Sequence, residues 1–377
     1  MLHQMERILK AFSGENVDYI TFITSLLVVV GIAFFILYDA EAARISIGSS
    51  YDNIVNIFGP VYLILTIFSF FFLLYIAISK QGHYRLGGEN QKAEFSYFSW
   101  IGMLFCSGIG GGLVYWSGVE WAYYVDIPPF GIEPGSDEAF ALATAYGLFH
   151  WGISAWSIYG IPAIALSIAF YKYKLSTLRL SSSLRGLGIK NVEESLGGRL
   201  IDLIFVIATV GAAGGTIGSY IPMLSSGFSD IFSVEKSFSL DLQVLALCVG
   251  LFGFSVYAGL TKGIKRLSDL NLFLAISFLI IILFIGPGLD ILRSSVEGLV
   301  YTVKYFWDMS TLGILEQSEF ADAWTIFYWA WWVAFGPLVA LFIARISKGR
   351  TLRELILGML IFGSLGTWLF YMILGGY

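Results

Sequence analysis

Nine apolar stretches, each near the ~20 residues a helix needs to cross a bilayer, constrain this sequence more than any other feature. They run over 19–38, 56–78, 97–124, 140–171, 201–227, 240–260, 269–288, 323–344 and 354–375. In hydrocarbon, backbone amides must be satisfied without water, so such stretches fold as packed helices. Composition agrees: 57% of the residues are apolar, 13% are charged and the mean hydropathy is +0.77. A soluble domain is roughly half apolar and about a quarter charged. Residues 1–377 read as one all-α polytopic transmembrane domain.

The connecting segments give the direction of insertion. With the N-terminus inside, 18 of the 22 Lys and Arg residues fall in inner segments, and only Arg44, Lys236, Arg293 and Lys304 fall outside. Inner loops carry the Lys/Arg excess, so a cytoplasmic N-terminus is predicted. Arg7 and Lys10 precede a span with no small-residue cleavage site, and no cleavable leader is expected.

Several function classes find no support. Cys106 and Cys248 sit inside apolar segments, and His3, His83 and His150 are far apart. There is no HExxH, CxxC or P-loop pattern. An integral membrane enzyme would need a nucleophile and a base at one depth, and His150 has no obvious partner of that kind. The chain reads as a non-enzyme with no nucleic-acid partner. Asp202 and Glu120 both lie near span ends, where an aqueous boundary makes a charge cheap. With no carboxylate predicted at a span centre, a mid-membrane proton carrier is not expected.

The eighth span carries Trp324, Phe327, Tyr328, Trp329, Trp331, Trp332 and Phe335, then Gly336-Pro337. At 100° per residue, Trp324, Tyr328, Trp331, Trp332 and Phe335 share one arc. Such a stripe is either plain packing or an aromatic wall for a ligand cation, worth ~0.5–2 kcal/mol per well-placed ring. A helix break is expected at Gly336-Pro337, which favours a cavity.

The third span holds Ser107-Gly-Ile-Gly-Gly-Gly112. Four glycines make a poor helix, and two readings stand: close packing through the Gly108/Gly112 pair, or an unwound break facing a ligand. In the fourth span, Trp151, Trp156 and Tyr159 lie on one side, with Pro162 as a candidate kink. His150 is either a proton carrier or a histidine with one satisfied hydrogen bond. Thr209 and Thr216 share a face of the fifth span and either offer oxygens to a cation or bond back to the helix. The Asp126–Gly135 loop reads as an ordered outer turn. Over 290–320 the sequence predicts an outer amphipathic helix, with Leu292, Val296, Leu299, Val303 and Phe306 at helical spacing.

Taken together, these segments resemble the betaine/choline/carnitine transporter family. The resemblance rests on Glu94–Trp100, the glycines of the third span, Phe149-His-Trp151 with Trp156 and Tyr159, Lys262–Ser268, and Trp324–Trp332 followed by Ala344–Glu354. It covers nearly the whole chain, and Glu120–Tyr124 with Pro128–Gly131 is most similar to the carnitine-exchanger branch. It implies a LeuT-like inverted-repeat fold: two leading helices over 19–78, a first five-helix repeat over 97–288, and a partial second repeat over 323–377. It also implies a secondary transporter working by alternating access, in a bacterial inner membrane and commonly as a homotrimer.

By that resemblance, Trp151, Trp156, Tyr159, Trp331 and Trp332 would box a trimethylammonium group. Phe335 stands where the family usually has another aromatic, often Trp. Gly108, Gly110, Gly112 and Tyr115 would complete the substrate site. Choline-selective relatives tend to carry an acid at the position of Gly112, so a zwitterion such as glycine betaine or carnitine is expected. Of one sodium site, Thr209 matches, while Ala213 and Leu338 depart from the pattern. Carbonyls near Ser107 and Ile109 would serve another. The resemblance also implies that the last three helices of the second repeat are absent, and the alternative reading is a truncated, transport-inactive or binding-only fragment of such a carrier.

Overall fold

The computed structural model describes residues 18–174, 179–189, 191–259 and 265–375. The basic residues Arg7, Lys10, Lys190 and Lys262, His3, and the terminal Gly376-Tyr377 lie outside the described residues.

Among the described residues the fold is helical, relieved only by one isolated bridge between Arg85 and Thr351. The leading helices are α1 (Tyr19–Tyr38) and α2 (Ala40–Ile78). The third span is the pair α3 (Tyr97–Ser107) and α4 (Gly111–Asp126), and the fourth is α5 (Asp137–Trp151) and α6 (Ile153–Tyr171). Then come α7 (Leu196–Phe232), α8 (Phe238–Gly259) and α9 (Lys265–Ile285), with α10 (Gly288–Lys304) and α11 (Phe306–Thr311) following. The eighth span is a π turn, Ala321–Ile326, running into α12 (Phe327–Ile346). The ninth is α13 (Leu352–Gly358), a π turn at Met359–Gly363, and α14 (Ser364–Leu374). Among the described residues, eight helices are long and apolar enough to cross a membrane, or nine when the bent α3–α4 pair is taken as one span.

Burial separates lipid-facing helices from the core. Only 6% of the most apolar window of α1 is buried, and Leu27 and Phe34 are each 66% exposed. Apolar side chains turned outward are what a bilayer solvates. The fourth, eighth and ninth spans are 67%, 39% and 56% buried in their apolar windows. They form the interior, with Trp156, Trp329, Trp332, Tyr146 and Tyr328 among its largest closed-in side chains.

α2 starts well before the apolar stretch that marks it in the sequence. Asp39 caps it by accepting from the Ala42 amide at 2.9 Å, and Arg44 pairs with Glu41 at 2.7 Å. These local contacts carry the helix through its polar first turns.

The third span breaks at Gly108–Gly110, and α3 and α4 meet at 57°. Gly110 is extended, at φ −135° and ψ 173°. The glycine run combines both readings in part: the helix is broken, and Gly108 packs closely, with a Cβ on it lying 2.8 Å from Trp156 and 2.9 Å from Thr367.

The fourth span is interrupted at Gly152, while Pro162 sits inside the helix. A Cβ at Gly152 would lie 2.1 Å from Nε1 of Trp368. That indole donates to the Leu148 carbonyl at 2.7 Å, and Thr367 donates to the Trp151 carbonyl at 2.5 Å. The ninth span thus supplies donors to carbonyls at the C-terminal end of α5, where a helix leaves such groups without partners.

The expected break at Gly336-Pro337 is absent: α12 runs through both residues. A proline costs a helix one donor and a local clash. Membrane helices absorb that when neighbouring helices pack on them. Here Gly336 is buried, and a Cβ on it would sit 3.7 Å from the Tyr159 ring and 3.9 Å from the Pro162 ring.

One end of the helical bundle is a lattice of arginines. Arg345 pairs with Glu94 at 2.9 Å, Arg353 donates to the Ala77 carbonyl at 2.6 Å, and Arg350 donates to the Phe95 carbonyl at 3.0 Å. The Arg350 guanidinium also lies 4.9 Å from both the Tyr97 and the Trp100 rings. Asp202 is not at a cheap aqueous boundary but 4% exposed. It accepts from Arg179 at 2.7 Å and from the Ser181 amide at 2.9 Å, which is how a buried charge is held.

At the other end the Asp126–Gly135 loop is ordered, with Phe130 at φ 65° and stacked on Tyr305 at 5.7 Å. α10 buries Ile291, Ser295 and Gly298. Its Leu292, Val296 and Val303 face outward, as suits a helix lying along an interface.

Candidate functional site

Rings from the fourth and eighth spans interlock at the centre of the molecule. Trp151 lies 5.5 Å from Trp331 and 5.7 Å from Trp332 between centroids. Trp332 is 4.7 Å from Tyr159 and 6.0 Å from Trp156. Phe335 joins through Trp331, at 5.0 Å. The pairs are tilted or edge-to-face, the arrangement that aromatic quadrupoles favour. Trp156, Tyr159 and Trp332 are almost fully enclosed. The Nε1 atoms of Trp156 and Trp332 are buried and donate no hydrogen bond among the described residues. Indole N–H groups in a core usually find an acceptor, so these two are spare donors.

Trp151 and Trp331 also face a cavity of about 300 Å³, at the small end of ligand pockets, which run from about 300 Å³ upward. Its other aromatic walls are Trp116, Phe327 and Tyr328, with Gly112 from α4 and Gly211, Ala212, Gly215, Thr216 and Ser219 from α7. Gly108 lies against the inner rings, where a Cβ would sit 2.8 Å from Trp156. Gly110 would meet nothing within 4 Å. Tyr115 is not brought to the cluster by any ring contact of its own except one with Trp116, at 5.2 Å among the described residues. Trp116 itself was missed from sequence. Its signal was there, since it lies four residues after Gly112 and so on the same helical face.

The larger surprise is Glu120, which is 0% exposed rather than at an aqueous boundary. Tyr328 and Tyr371 each donate to its Oε2 at 2.5 Å, and Tyr124 donates to its Oε1. His150, also 0% exposed, makes two hydrogen bonds rather than one: Nδ1 with the Tyr124 hydroxyl at 2.9 Å and Nε2 with Thr325 at 3.0 Å. Its Nδ1 is 3.8 Å from Glu120. Thr325 lies in the π turn that opens the eighth span. Such turns recur at functional sites. What fails is the reading of Glu120 as a charge made cheap by an aqueous boundary, because phenols enclose it. Glu120 and Tyr124 sit one helical turn apart, but the other two donors come from 208 and 251 residues away.

Candidate cation contacts are sparse. Thr209 Oγ1 is buried without a hydrogen bond among the described residues. Thr216 bonds back to the Ala212 carbonyl at 3.0 Å, and Ser107 donates to the Leu104 carbonyl at 2.7 Å. Ile109 donates its amide to Cys106 at 3.1 Å. Hard cations are held by roughly six oxygens. Ser107, Ile109 and Thr209 do not make such a set by themselves.

The chain matches the family model described as BCCT, betaine/carnitine/choline family transporter, over residues 20–377. It is 34% identical over 307 residues to the uncharacterized transporter YeaV of Escherichia coli strain K12, covering 81% of this chain and 63% of that protein. It is 33% identical over 358 residues to a protein named carnitine transporter from Acinetobacter baumannii strain ATCC 19606, covering 94% of this chain and 64% of that protein. The chain thus spans just under two thirds of the length of these relatives.

Proposed function

This chain belongs to the betaine/carnitine/choline transporter family, and from that premise we propose that it binds and carries a quaternary ammonium zwitterion of the glycine betaine or carnitine type. The family is one of transporters, not enzymes. The observation that carries the substrate class is the convergence of Trp151, Trp156 and Tyr159 with Trp331 and Trp332 beside the broken third span. A quaternary ammonium cannot donate hydrogen bonds, so ring faces are its natural partners. The spare indole donors of Trp156 and Trp332 suit the anionic end of a zwitterion.

Trp151 and Trp331 are the members of the aromatic cluster that line the cavity. The deeper rings pack directly on one another at 4.7–6.0 Å, so entry of the ammonium between them needs those helices to part. Alternating access, with one helical bundle rocking against the other around the site, supplies that movement. Under the same proposal the helices form inverted repeats, the site lies in a bacterial inner membrane and the assembly is a homotrimer. Calorimetric titration of the full-length protein with glycine betaine, carnitine and choline, followed by counterflow of the labelled compounds in vesicles, tests the reading. Binding and counterflow of a zwitterion in preference to choline are expected. Absence of binding by all three would overturn it.

A further inference from the structure

We propose that Glu120 and His150, bridged by Tyr124, form a proton-binding site that latches the third, fourth, eighth and ninth spans together. The hydrogen bonds themselves limit where the protons sit. A phenol has one proton to give. Tyr124 gives it to Glu120, so its oxygen accepts from Nδ1–H of His150. Nε2 then has two permitted states: it accepts from the Thr325 hydroxyl, or it carries a second proton and donates to that oxygen. The cluster can take up one proton without losing a hydrogen bond, because only Thr325 changes from donor to acceptor.

Charge makes the two states unequal. With the extra proton, imidazolium offsets carboxylate. Without it, an ionised Glu120 stands buried with no counter-charge, since His150 is its one ion-pair partner among the described residues. Three phenol donors reduce that cost but do not cancel the charge.

The surroundings add little charge of their own. Tyr146 of α5 lies 5.3 Å from the imidazole between ring centroids, and Asp308, which is exposed on α11, is an acidic group that acts on it. Tyr328 and Tyr371 face Glu120 from α12 and α14. α7 brings Tyr220 against Gly111. Arg293, Glu297 and Lys304 of α10 are exposed. Asp322 of the π turn bonds Tyr51 through its backbone carbonyl.

Two consequences follow. The bonds from Tyr328 and Tyr371 to Glu120 tie α4 to α12 and α14, so loss of the proton, which leaves an uncompensated charge, favours parting these helices and admitting water. The cluster also abuts the aromatic wall, since the Trp151 ring lies 5.6 Å from Tyr328 and 5.8 Å from Tyr371. A cationic group bound at that wall would offset the charge of the deprotonated cluster. Cation binding and proton release are then linked, each favouring the other.

The test needs no ligand, so its failure is separate from failure of the substrate assignment. His150 is one of three histidines, so isotope-labelled histidine in the full-length protein in lipid nanodiscs gives few NMR signals, and H150Q assigns them. Across about pH 5 to 9, His150 is expected to pass from doubly protonated to the Nδ1–H form. If pH-difference infrared spectra show the proton taken up by a carboxyl group instead, the proposed assignment is overturned. In E120Q the imidazolium signal should be lost over the same range, and Y124F, which keeps the ring, serves if E120Q does not fold. Hydrogen exchange over 111–126, corrected for its intrinsic pH dependence, should rise as the proton leaves in wild type and stay flat in the variant. The proposal is overturned if neither group changes protonation in wild type, if the substitution leaves the His150 titration unmoved, or if exchange does not follow the proton.

Discussion

The rings of Tyr159 and Trp332 lie 4.7 Å apart between centroids, bringing the fourth and eighth spans into direct contact at the centre of the molecule. Neither ring is more than 4% exposed. The contact is therefore both a piece of core and a closed portion of the proposed binding wall, and the two roles can be separated by experiment.

Trp332→Ala should weaken binding of the quaternary ammonium ligand about tenfold or more, from the loss of a desolvated cation–π contact worth ~1–2 kcal/mol. Truncating a buried Trp also costs ~3–5 kcal/mol of stability. Trp332→Phe is the control, keeping a ring and most of the affinity. Calorimetry on both variants checks this, and unchanged binding by the alanine variant would sink the assignment of Trp332 to the site.

The glycines predict a contrast. A Cβ at Gly363 would come within 2.6 Å of the Trp156 ring, whereas one at Gly110 would meet nothing within 4 Å. Gly363→Ala should destabilise by ~1–3 kcal/mol through overpacking, while Gly110→Ala should be close to neutral for stability. Thermal unfolding in matched detergent reads the difference, and equal midpoints would count against the packing described for Trp156.

Glu94 gives a pH dependence. Hydrogen bonds from Arg345 hold its carboxyl below the ordinary carboxylate range. A group lowered on folding contributes stability above its unfolded value, and that contribution is lost as pH falls through the folded value. Glu94→Gln should thus lower the unfolding midpoint at pH 7, with the gap from wild type closing below about pH 4. Half the Arg345 side chain is exposed, so the cost should be under ~1 kcal/mol and shrink in high salt. A gap that persists in acid would place the effect elsewhere.

Thr351 caps α13 by accepting from the Glu354 amide at 3.1 Å, while Glu354 accepts from the Thr351 amide at 2.8 Å. Thr351→Ala removes half of this reciprocal pair and should cost ~0.5–2 kcal/mol. Thr351→Ser should restore most of it. Comparing the two unfolding midpoints decides whether the cap or the methyl group matters.

Some of this site could be read from the chain alone. Trp156 and Tyr159 share a helical face, as do Trp331 and Phe335, and the glycine run at 108–112 marks a break, while Trp151 ends a separate helix before Gly152. All of these are short-range patterns. The segments Glu94–Trp100 and Ala344–Glu354 stood out separately, yet only folding joins them, through Arg345 with Glu94 and the Trp100 indole donating to Ser347 at 3.1 Å. Gly336-Pro337 misled for the opposite reason. Its local chemistry disfavours helix, but packing against Tyr159 and Pro162 overrides it.

The sequence by itself determined that this is a polytopic helical membrane protein with a predicted cytoplasmic N-terminus, and which rings could face a cation. Those properties follow from hydropathy, charge placement and helical period, each set within a turn or a loop. The tertiary structure decided what Glu120 and His150 are. Near a span end a carboxylate reads as solvated. Burying this one takes phenols from Tyr328 and Tyr371, more than 200 residues away, and no local pattern encodes a partner at that range.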